Sequence, residues 1–402
     1  MSLALIFPGQ GSQYIGMGKE LCSSFSLANE TINEASEIIK MDITKCWRPN
    51  FNLDNTRDAQ PMILAVSIAA FRVFHQEIGW SPSVAAGHSL GEYAALVSSG
   101  CISFKEALNI VKVRGELMQA AAEQFPGRMI AVMHSNDSDV EGIYDRIRKR
   151  WRNLTLACHN SKSNKVFSGT IEATEMFIDY LKDKNIHYKV INNSGAFHND
   201  TMQDAANNMF DILNNIKVNK GDFPVLSNID ALPHTVNTLR KMLVLQITKP
   251  VRWKNTMDNI VKYGATSFVE IGPRKVLGNM IDDDKKHFPY VSFCTSKDVD
   301  QVKMIMEKQK DHSVTTRNDF SFSSINQLLN HSMVMKNYNP TDANYAEIQK
   351  VYQKINDLKN NDPLNSNRDR QIIQYILEVF ALKHTPSEEQ ESFKTKWLRE
   401  NA

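Results

Sequence analysis

Residues 84–97 read Val-Ala-Ala-Gly-His-Ser-Leu-Gly-Glu-Tyr-Ala-Ala-Leu-Val. The apolar run before Gly87 predicts a strand, and the run after Gly91 predicts a helix. A G-x-S-x-G turn between a strand and a helix is typical of a nucleophile elbow, in which strained backbone angles expose the central hydroxyl. The start of the helix also directs unpaired amides at any negative charge that forms nearby. Ser89 is therefore the candidate nucleophile, and the alternative is a tight structural turn.

The elbow lies inside a longer alternation of strands and helices. Residues 3–7 predict a buried strand that ends in a glycine-rich loop at residues 8–13, and helical patterns follow near residues 17–39 and 60–74. This order predicts an α/β core with a parallel sheet. The same module resumes at residues 224–228 with helices near 236–247 and 255–263, and we expect its last strand at residues 267–270.

A second pattern occupies residues 128–191. It predicts strands at 129–133, 154–158, 165–168 and 187–191, with helices at 139–150 and 172–182. The order β-α-β-β-α-β is that of a ferredoxin-like unit. We expect this unit to be inserted into the larger module, with the substrate in the cleft between them.

The chain becomes polar and poor in glycine after about residue 297. Three amphipathic helices are predicted there, over residues 324–335, 342–358 and 368–382. This extension contains no group of residues typical of a catalytic site. It is therefore either a docking element or a helical tail that packs on the core and stabilises it. The predicted division is an α/β-hydrolase-like subdomain over 1–127 and 192–296, a ferredoxin-like subdomain over 128–191 and a helical C-terminal extension over 297–402.

Composition excludes several classes of function. The 402 residues carry a net charge of only +2, which does not indicate a nucleic-acid partner. The five cysteines are scattered without C-x-x-C spacing, which predicts a reduced protein without a metal site. The N-terminus lacks the pattern of a leader, and the uncharged apolar stretch at residues 59–71 is too short to cross a bilayer. We expect a cytoplasmic protein that does not bind membranes.

A serine needs a base to become a nucleophile, and His198 is the candidate among eleven histidines. It lies in a loop of small residues just after the predicted inserted unit, where the chain returns to the cleft. The alternative is a surface or capping histidine. His88 is a rival, but its side chain would point away from Ser89 at such a turn, so we interpret it as structural.

Several separated motifs together resemble malonyl-CoA:acyl carrier protein transacylases and the acyltransferase domains of polyketide synthases. The resemblance covers roughly residues 3–296, and chance agreement across so many motifs is remote. The motifs that carry it are Phe7-Pro8-Gly9-Gln10-Gly11-Ser12-Gln13, Gln60-Pro61, Gly87-His88-Ser89-Leu90-Gly91-Glu92-Tyr93, Val113-Arg114-Gly115, Ala196-Phe197-His198, Ser227-Asn228 and Glu270-Ile271-Gly272-Pro273.

The resemblance implies roles for the reacting residues. Ser89 would take the acyl group as an ester, and His198 would be its base. The backbone amides of Gln10 and Leu90 would form the oxyanion hole. Gln246 stands at the place where the family orients the histidine through a carbonyl.

The resemblance also implies a substrate. Arg114 would bind the malonyl carboxylate with two parallel hydrogen bonds, whereas the alternative is a surface salt bridge. Phe197 would leave little space for an α-methyl branch, which disfavours methylmalonyl. Asn160 matches a polar residue near the active site, although it is equally a turn-former between two strands. The sequence departs from the family pattern at Asn199 and Arg274.

The expected activity is transfer of malonyl from malonyl-CoA, a coenzyme A thioester, to the phosphopantetheine thiol of an acyl carrier protein, as in an [acyl-carrier-protein] S-malonyltransferase. Neither a metal nor a cofactor is expected. The extension and the Phe197 loop favour a free-standing enzyme that serves polyketide synthase modules. The alternatives are a transacylase of fatty-acid synthesis, an acyl hydrolase acting on carrier proteins, and a docking protein that works through the C-terminal tail.

Overall fold

A computed structural model of the chain describes residues 2–80, 82–133, 149, 153–191, 194–281, 287–305, 342–361 and 366–382. The chain divides into two compact units, of which one comprises residues 2–309 and the other residues 310–402 together with Met1.

The described strands and helices alternate along most of the chain. The strands are Leu3–Phe7 (β1), Val84–Gly87 (β2), Gly127–Met133 (β3), Leu154–Ser161 (β4), Asn164–Thr170 (β5), Tyr188–Ile191 (β6), Val225–Leu226 (β7), Ser267–Ile271 (β8) and Tyr290–Phe293 (β9). The α-helices are Lys19–Ser24 (α1), Ser26–Ile39 (α2), Thr56–Ile78 (α3), Gly91–Ser98 (α4), Phe104–Gln124 (α5), Ile171–Asp183 (α6), Gln203–Asn214 (α7), Leu239–Thr248 (α8), Trp253–Lys262 (α9), Asp342–Asn361 (α10) and Ser366–Leu382 (α11). Short 3-10 helices cover Ile43–Trp47, Asp200–Met202 and Leu277–Met280.

The larger sheet has five parallel strands in the order β7-β2-β1-β8-β9. Every residue of β1 and β8 is buried, as expected for strands of a parallel sheet that is covered on both faces. The carboxyl ends of parallel strands meet at one edge, and Phe7 pairs there with Gly87. The loops that follow β1, β2 and β7 are thereby brought together, and the predicted α/β class is confirmed.

One prediction about this sheet is wrong. The strand β8 is not the last, because β9 pairs with it in parallel, with Phe268 opposite Tyr290. The apolar run that forms β9 is only four residues long, and no helical pattern precedes it. The sequence therefore does not indicate that this run pairs with β8. The helical pattern over 17–39 is likewise two helices, interrupted at Phe25, whose backbone is extended.

The smaller sheet is antiparallel, in the order β4-β5-β3-β6. The helix α6 packs on it, with the rings of Phe167 and Phe177 4.8 Å apart, and Ile130, Leu154 and Leu181 complete this core. The strands and α6 follow the order that the ferredoxin-like prediction requires. The predicted helix 139–150 lies, except for residue 149, outside the described residues.

The described part of the C-terminal unit is a pair of helices, α10 and α11. Ile348, Val351 and Ile355 pack against Ile372 and Ile376 to form a small apolar core. The two helices cover the predicted ranges 342–358 and 368–382. The predicted helix 324–335 lies outside the described residues.

Candidate active site

The turn between β2 and α4 holds Ser89 in a strained backbone conformation. Its φ is +50°, in the left-handed region that side chains disfavour. The glycines on either side are required by contact, since a Cβ on Gly87 would lie 1.9 Å from the carbonyl carbon of Gly91. A Cβ on Gly91 would lie 2.1 Å from the carbonyl oxygen of Phe7. The turn therefore has the strained central residue and the close backbone approach of a nucleophile elbow, and Ser89 itself is half-buried.

The structure brings His198 to Ser89 across 109 residues of sequence. The Nε2 atom of His198 lies 3.0 Å from Oγ of Ser89, and its Nδ1 lies 2.7 Å from the carbonyl oxygen of Gln246. Because a carbonyl only accepts, Nδ1 carries the hydrogen and Nε2 presents a lone pair to the hydroxyl. Burial and, after it, the charge of Arg114 lower the pKa of His198 from 6.5 to about 3. The imidazole is thus a neutral acceptor at neutral pH.

Arg114, on α5, is 1% exposed and also reaches the hydroxyl. Its Nη2 donates to Oγ of Ser89 and to Oε1 of Gln246, both at 3.1 Å, and its Nη1 donates to Oε1 of Gln60 at 2.7 Å. All three acceptors are neutral, and among the described residues Arg114 forms no ion pair with a carboxylate. Burial lowers the pKa of the guanidinium below its usual range. A buried cation without a direct counter-ion is energetically costly, so an anion that reached it would be stabilised.

Two backbone amides lie beside the elbow. Gly9 brings the loop after β1 against it, since a Cβ there would lie 2.3 Å from the carbonyl oxygen of His88 and 3.5 Å from the amide nitrogen of Leu90. The side chain of Gln10 is held by a 3.0 Å bond from its Nε2 to Oγ1 of Thr56. Within the described part of the chain, the amides of Gln10 and Leu90 have no acceptor. Both are therefore available to an oxyanion.

Asn160 and Phe197 flank this centre. Oδ1 of Asn160 lies 2.8 Å from Nε2 of His88, and its Nδ2 donates to Asn164 at 3.1 Å. Asn160 thus fixes the histidine next to the nucleophile, because Nε2 of His88 hydrogen-bonds to its amide. Phe197 is 6% exposed and packs against Gly195, where a Cβ would lie 3.0 Å from its ring.

The sequence profile of the acyl transferase domain family matches residues 4–331. This chain belongs to that family. The match spans both described sheets, so the acyl transferase domain includes every residue of the candidate site.

Individual relatives of this acyl transferase domain carry more specific names. A malonyl CoA-acyl carrier protein transacylase of Bacillus subtilis is 33% identical over 350 residues, which cover 86% of this chain and 86% of the relative. The solved malonyl CoA-acyl carrier protein transacylase of Coxiella burnetii is 32% identical and superposes with a TM-score of 0.72 over 75% of this chain and 96% of its own. A malonyl transacylase solved in complex with its type II polyketide synthase acyl carrier protein is 30% identical, with a TM-score of 0.71 over 75% of this chain and 98% of its own.

The structure adds four buried polar residues to the site of this acyl transferase domain. Gln60 holds Arg114, whereas Asn228 accepts a 2.7 Å bond from the amide of Ser89. Glu92 and His234 lie behind them, 2.6 Å apart. Gln60, Glu92 and Asn228 belong to motifs of the sequence, but nothing local assigns them a partner. His234 belongs to no motif and carries no sequence signal.

The described residues contain no group of three or more His, Cys, Asp or Glu side chains that could hold a metal ion. Within the same ranges, no helix combines the length and the apolar character needed to cross a membrane. All five cysteines are free thiols.

Proposed function

We propose that this chain transfers a malonyl group from malonyl-CoA to the phosphopantetheine thiol of an acyl carrier protein, through an ester on Ser89. One observation carries the proposal: Arg114 is buried, lacks a carboxylate partner among the described residues and lies 3.1 Å from the hydroxyl. A malonyl thioester has a free carboxylate that a guanidinium binds with two parallel hydrogen bonds. The names of the relatives support the same substrate and the same partner.

In the first half-reaction Oγ of Ser89 attacks the thioester carbonyl, and its proton moves to Nε2 of His198. The tetrahedral intermediate then expels the thiolate of coenzyme A, which takes that proton from His198 and leaves as the thiol. The carbonyl of Gln246 holds Nδ1–H throughout, 2.7 Å away, so that the ring keeps its orientation and its tautomer.

The oxygen of the intermediate would lie between the amides of Gln10 and Leu90. These donors are in place before the substrate binds, so no reorganisation accompanies the development of charge. A donor of this kind contributes about 3 kcal/mol to transition-state stabilisation.

The malonyl carboxylate also assists the base. The charge of Arg114 is the second largest cause, after burial, of the lowered pKa of His198. A carboxylate bound to Arg114 opposes that charge, so it makes the imidazole a better proton acceptor. A malonyl substrate thereby strengthens the base that accepts the proton of Ser89, whereas an acetyl group, which has no carboxylate, cannot.

In the second half-reaction the thiol of the carrier protein attacks the ester of Ser89. His198 takes the thiol proton and returns it to Oγ as the carbonyl–oxygen bond breaks. Water in place of the thiol would make the chain an acyl hydrolase. We favour transfer because the curated relatives from Bacillus subtilis are named transacylases.

The test is intact-protein mass spectrometry after incubation with malonyl-CoA. We expect the wild type to gain one malonyl group and to lose it to holo carrier protein faster than to water. Ser89→Ala should gain none, whereas Ser98→Ala, which removes a buried hydroxyl two turns further along α4, should behave as the wild type. Acylation of Ser89→Ala would overturn the proposal, and hydrolysis faster than transfer would establish the hydrolase instead.

We further propose that the carrier protein belongs to polyketide synthesis. The support is the similarity to a transacylase bound to a type II polyketide synthase carrier protein. Fatty-acid synthesis is the competing assignment, because the relative from Bacillus subtilis is named without any polyketide role. Comparing kcat/KM for carrier proteins of the two kinds separates these assignments.

The remaining parts of the proposal concern the whole molecule. We propose that the reaction needs no cofactor or metal, because Ser89, His198 and Arg114 supply each step. The free thiols support a reducing, cytoplasmic location. We also propose the division into an acyltransferase subdomain over 1–127 and 192–296, a ferredoxin-like subdomain over 128–191 and an extension over 297–402.

A further inference from the structure

We propose that His234 is a positioning residue that sets the orientation of Arg114 through Glu92 and the side-chain amide of Gln246. This inference rests on the proposed function, because it assigns the selection of a malonyl carboxylate to residues behind the site.

The first link is a buried pair. Nε2 of His234 lies 2.6 Å from Oε1 of Glu92, and the two side chains are 1% and 0% exposed. Because the carboxylate is the acceptor, Nε2 carries the hydrogen. The backbone amide of His234 donates to the carbonyl of Val225 at 2.8 Å, which ties the residue to β7. The imidazole is therefore a fixed donor rather than a mobile loop side chain.

The second link is the other oxygen of Glu92. Its Oε2 accepts from Nε2 of Gln246 at 2.9 Å and from the amide of Asn228 at 3.0 Å. Glu92 is fully buried, so both of its oxygens need donors. His234 provides the donor for Oε1, which leaves Oε2 directed at Gln246.

The third link is the orientation of the Gln246 side-chain amide, which could direct either its oxygen or its NH2 group at Arg114. Its NH2 group faces three acceptors, namely Oε2 of Glu92, the carbonyl of Ser89 at 3.0 Å and Oδ1 of Asn228 at 3.3 Å. A flipped amide would place its oxygen against these three oxygens and its NH2 against a guanidinium. The carboxylate thus fixes Oε1 toward Nη2 of Arg114, at 3.1 Å.

The result is a guanidinium held in one plane. Gln60 accepts from Nη1 and Gln246 accepts from Nη2, while Nε has no partner among the described residues. Two parallel hydrogen bonds to a carboxylate form only when the plane of the guanidinium is correctly oriented. The attraction of a simple positive charge does not depend on that orientation. Loss of His234 should therefore impair the use of malonyl and spare acyl groups without a carboxylate.

The test compares kcat/KM for malonyl-CoA and acetyl-CoA in His234→Phe, which keeps the ring volume but removes the donor. We expect the malonyl-to-acetyl ratio to fall about tenfold, the value of one charge-assisted hydrogen bond. His234→Gln can place an N–H near the position of Nε2, and it should restore the ratio to within about twofold of the wild type. Thr235→Ala, an exposed change in the same loop, is the matched control and should leave the ratio unchanged.

A double-mutant cycle tests the path of the coupling. Gln246→Met removes the amide but keeps the backbone carbonyl that faces His198, so it should lower the ratio on its own. Adding His234→Phe to it should lower the ratio no further, because the proposed path is already broken. If His234→Phe fails to fold, the other two variants still test the inference, because Gln246→Met should lower the ratio and His234→Gln should keep it within about twofold of the wild type.

The outcomes separate this inference from the proposed function. A wild type that does not prefer malonyl to acetyl would overturn the proposed function and the inference together. A wild type with that preference, and a His234→Phe variant that loses both substrates equally or retains the ratio, would overturn the inference alone. Independent effects of His234→Phe and Gln246→Met on the ratio would also overturn it.

Discussion

Nη2 of Arg114 donates to Oγ of Ser89 at 3.1 Å, across 25 residues of sequence. The same hydroxyl lies 3.0 Å from Nε2 of His198, so it has a donor on one side and an acceptor on the other. A carboxylate that binds Arg114 would compete for Nη2. We therefore expect substrate binding to release the hydroxyl from the guanidinium and leave it to the imidazole.

Replacing Arg114 should change the choice of substrate more than the chemistry. We expect Arg114→Ala to lower kcat/KM for malonyl-CoA by about 100-fold or more, because two charge-assisted hydrogen bonds are lost. The value for acetyl-CoA should fall far less. Arg114→Lys keeps the charge but loses the planar fork, so it should recover only part of the malonyl activity. Equal losses for the two substrates would contradict a carboxylate site at Arg114.

Removing the same charge should also move the pH profile. The pKa of His198 is lowered to about 3 by burial and then by Arg114, so loss of the guanidinium raises this pKa toward 6.5. Since the base must be neutral, the acidic limb of kcat/KM for acetyl-CoA should move to higher pH in Arg114→Ala than in the wild type. Arg72→Ala, which breaks an ion pair with Glu34 on another helix, is the control and should leave the limb in place. A limb that stays fixed or moves to lower pH in Arg114→Ala would show that this charge does not act on His198.

Phe197 should govern the exclusion of branched acyl groups. Its ring is buried against Gly195, so Phe197→Ala opens space next to His198. We expect the ratio of kcat/KM for methylmalonyl-CoA to that for malonyl-CoA to rise about tenfold, since one methyl group is worth 1 to 3 kcal/mol. The control is Phe210→Ala, which removes an exposed ring on α7. An unchanged ratio would assign the selection to another wall of the site.

The C-terminal unit should be separable from the chemistry. Residues 2–309 form one unit of the chain, and in the other unit α10 and α11 have a core of their own. We expect a chain that ends at residue 309 to transfer malonyl to free carrier protein at the rate of the full chain and to unfold at a similar Tm. If the extension is a docking element, the shorter chain should bind synthase modules more weakly. A large fall in Tm would instead assign the extension a stabilising role.

The parts of the fold that can be predicted from the sequence are those determined by residues close together in the chain. The elbow is encoded in consecutive residues, because only glycine fits at positions 87 and 91. The alternation of strands and helices likewise reflects short apolar runs and helical periodicity. By contrast β9 is four residues long and is defined by its pairing with β8, which no local pattern reports.

The network behind the site could not be predicted for a different reason. Glu92, Asn228 and His234 are polar residues, which in isolation are expected at the surface. Their burial follows from the convergence of the loops after β2 and β7, and their partners are 136 and 142 positions away from Glu92. Sequence motifs indicated that Glu92 and Asn228 matter, but only the fold places them together.

The two residues proposed to exchange the proton both have left-handed backbone conformations, with φ of +50° at Ser89 and +56° at His198. Such conformations cost of order 1–3 kcal/mol each for residues with side chains. Glycine at either position would relieve this cost and remove the reactive group. Directed evolution of this enzyme for heat resistance alone should therefore favour glycine at these two positions and yield inactive proteins. Any such selection has to include a screen for turnover.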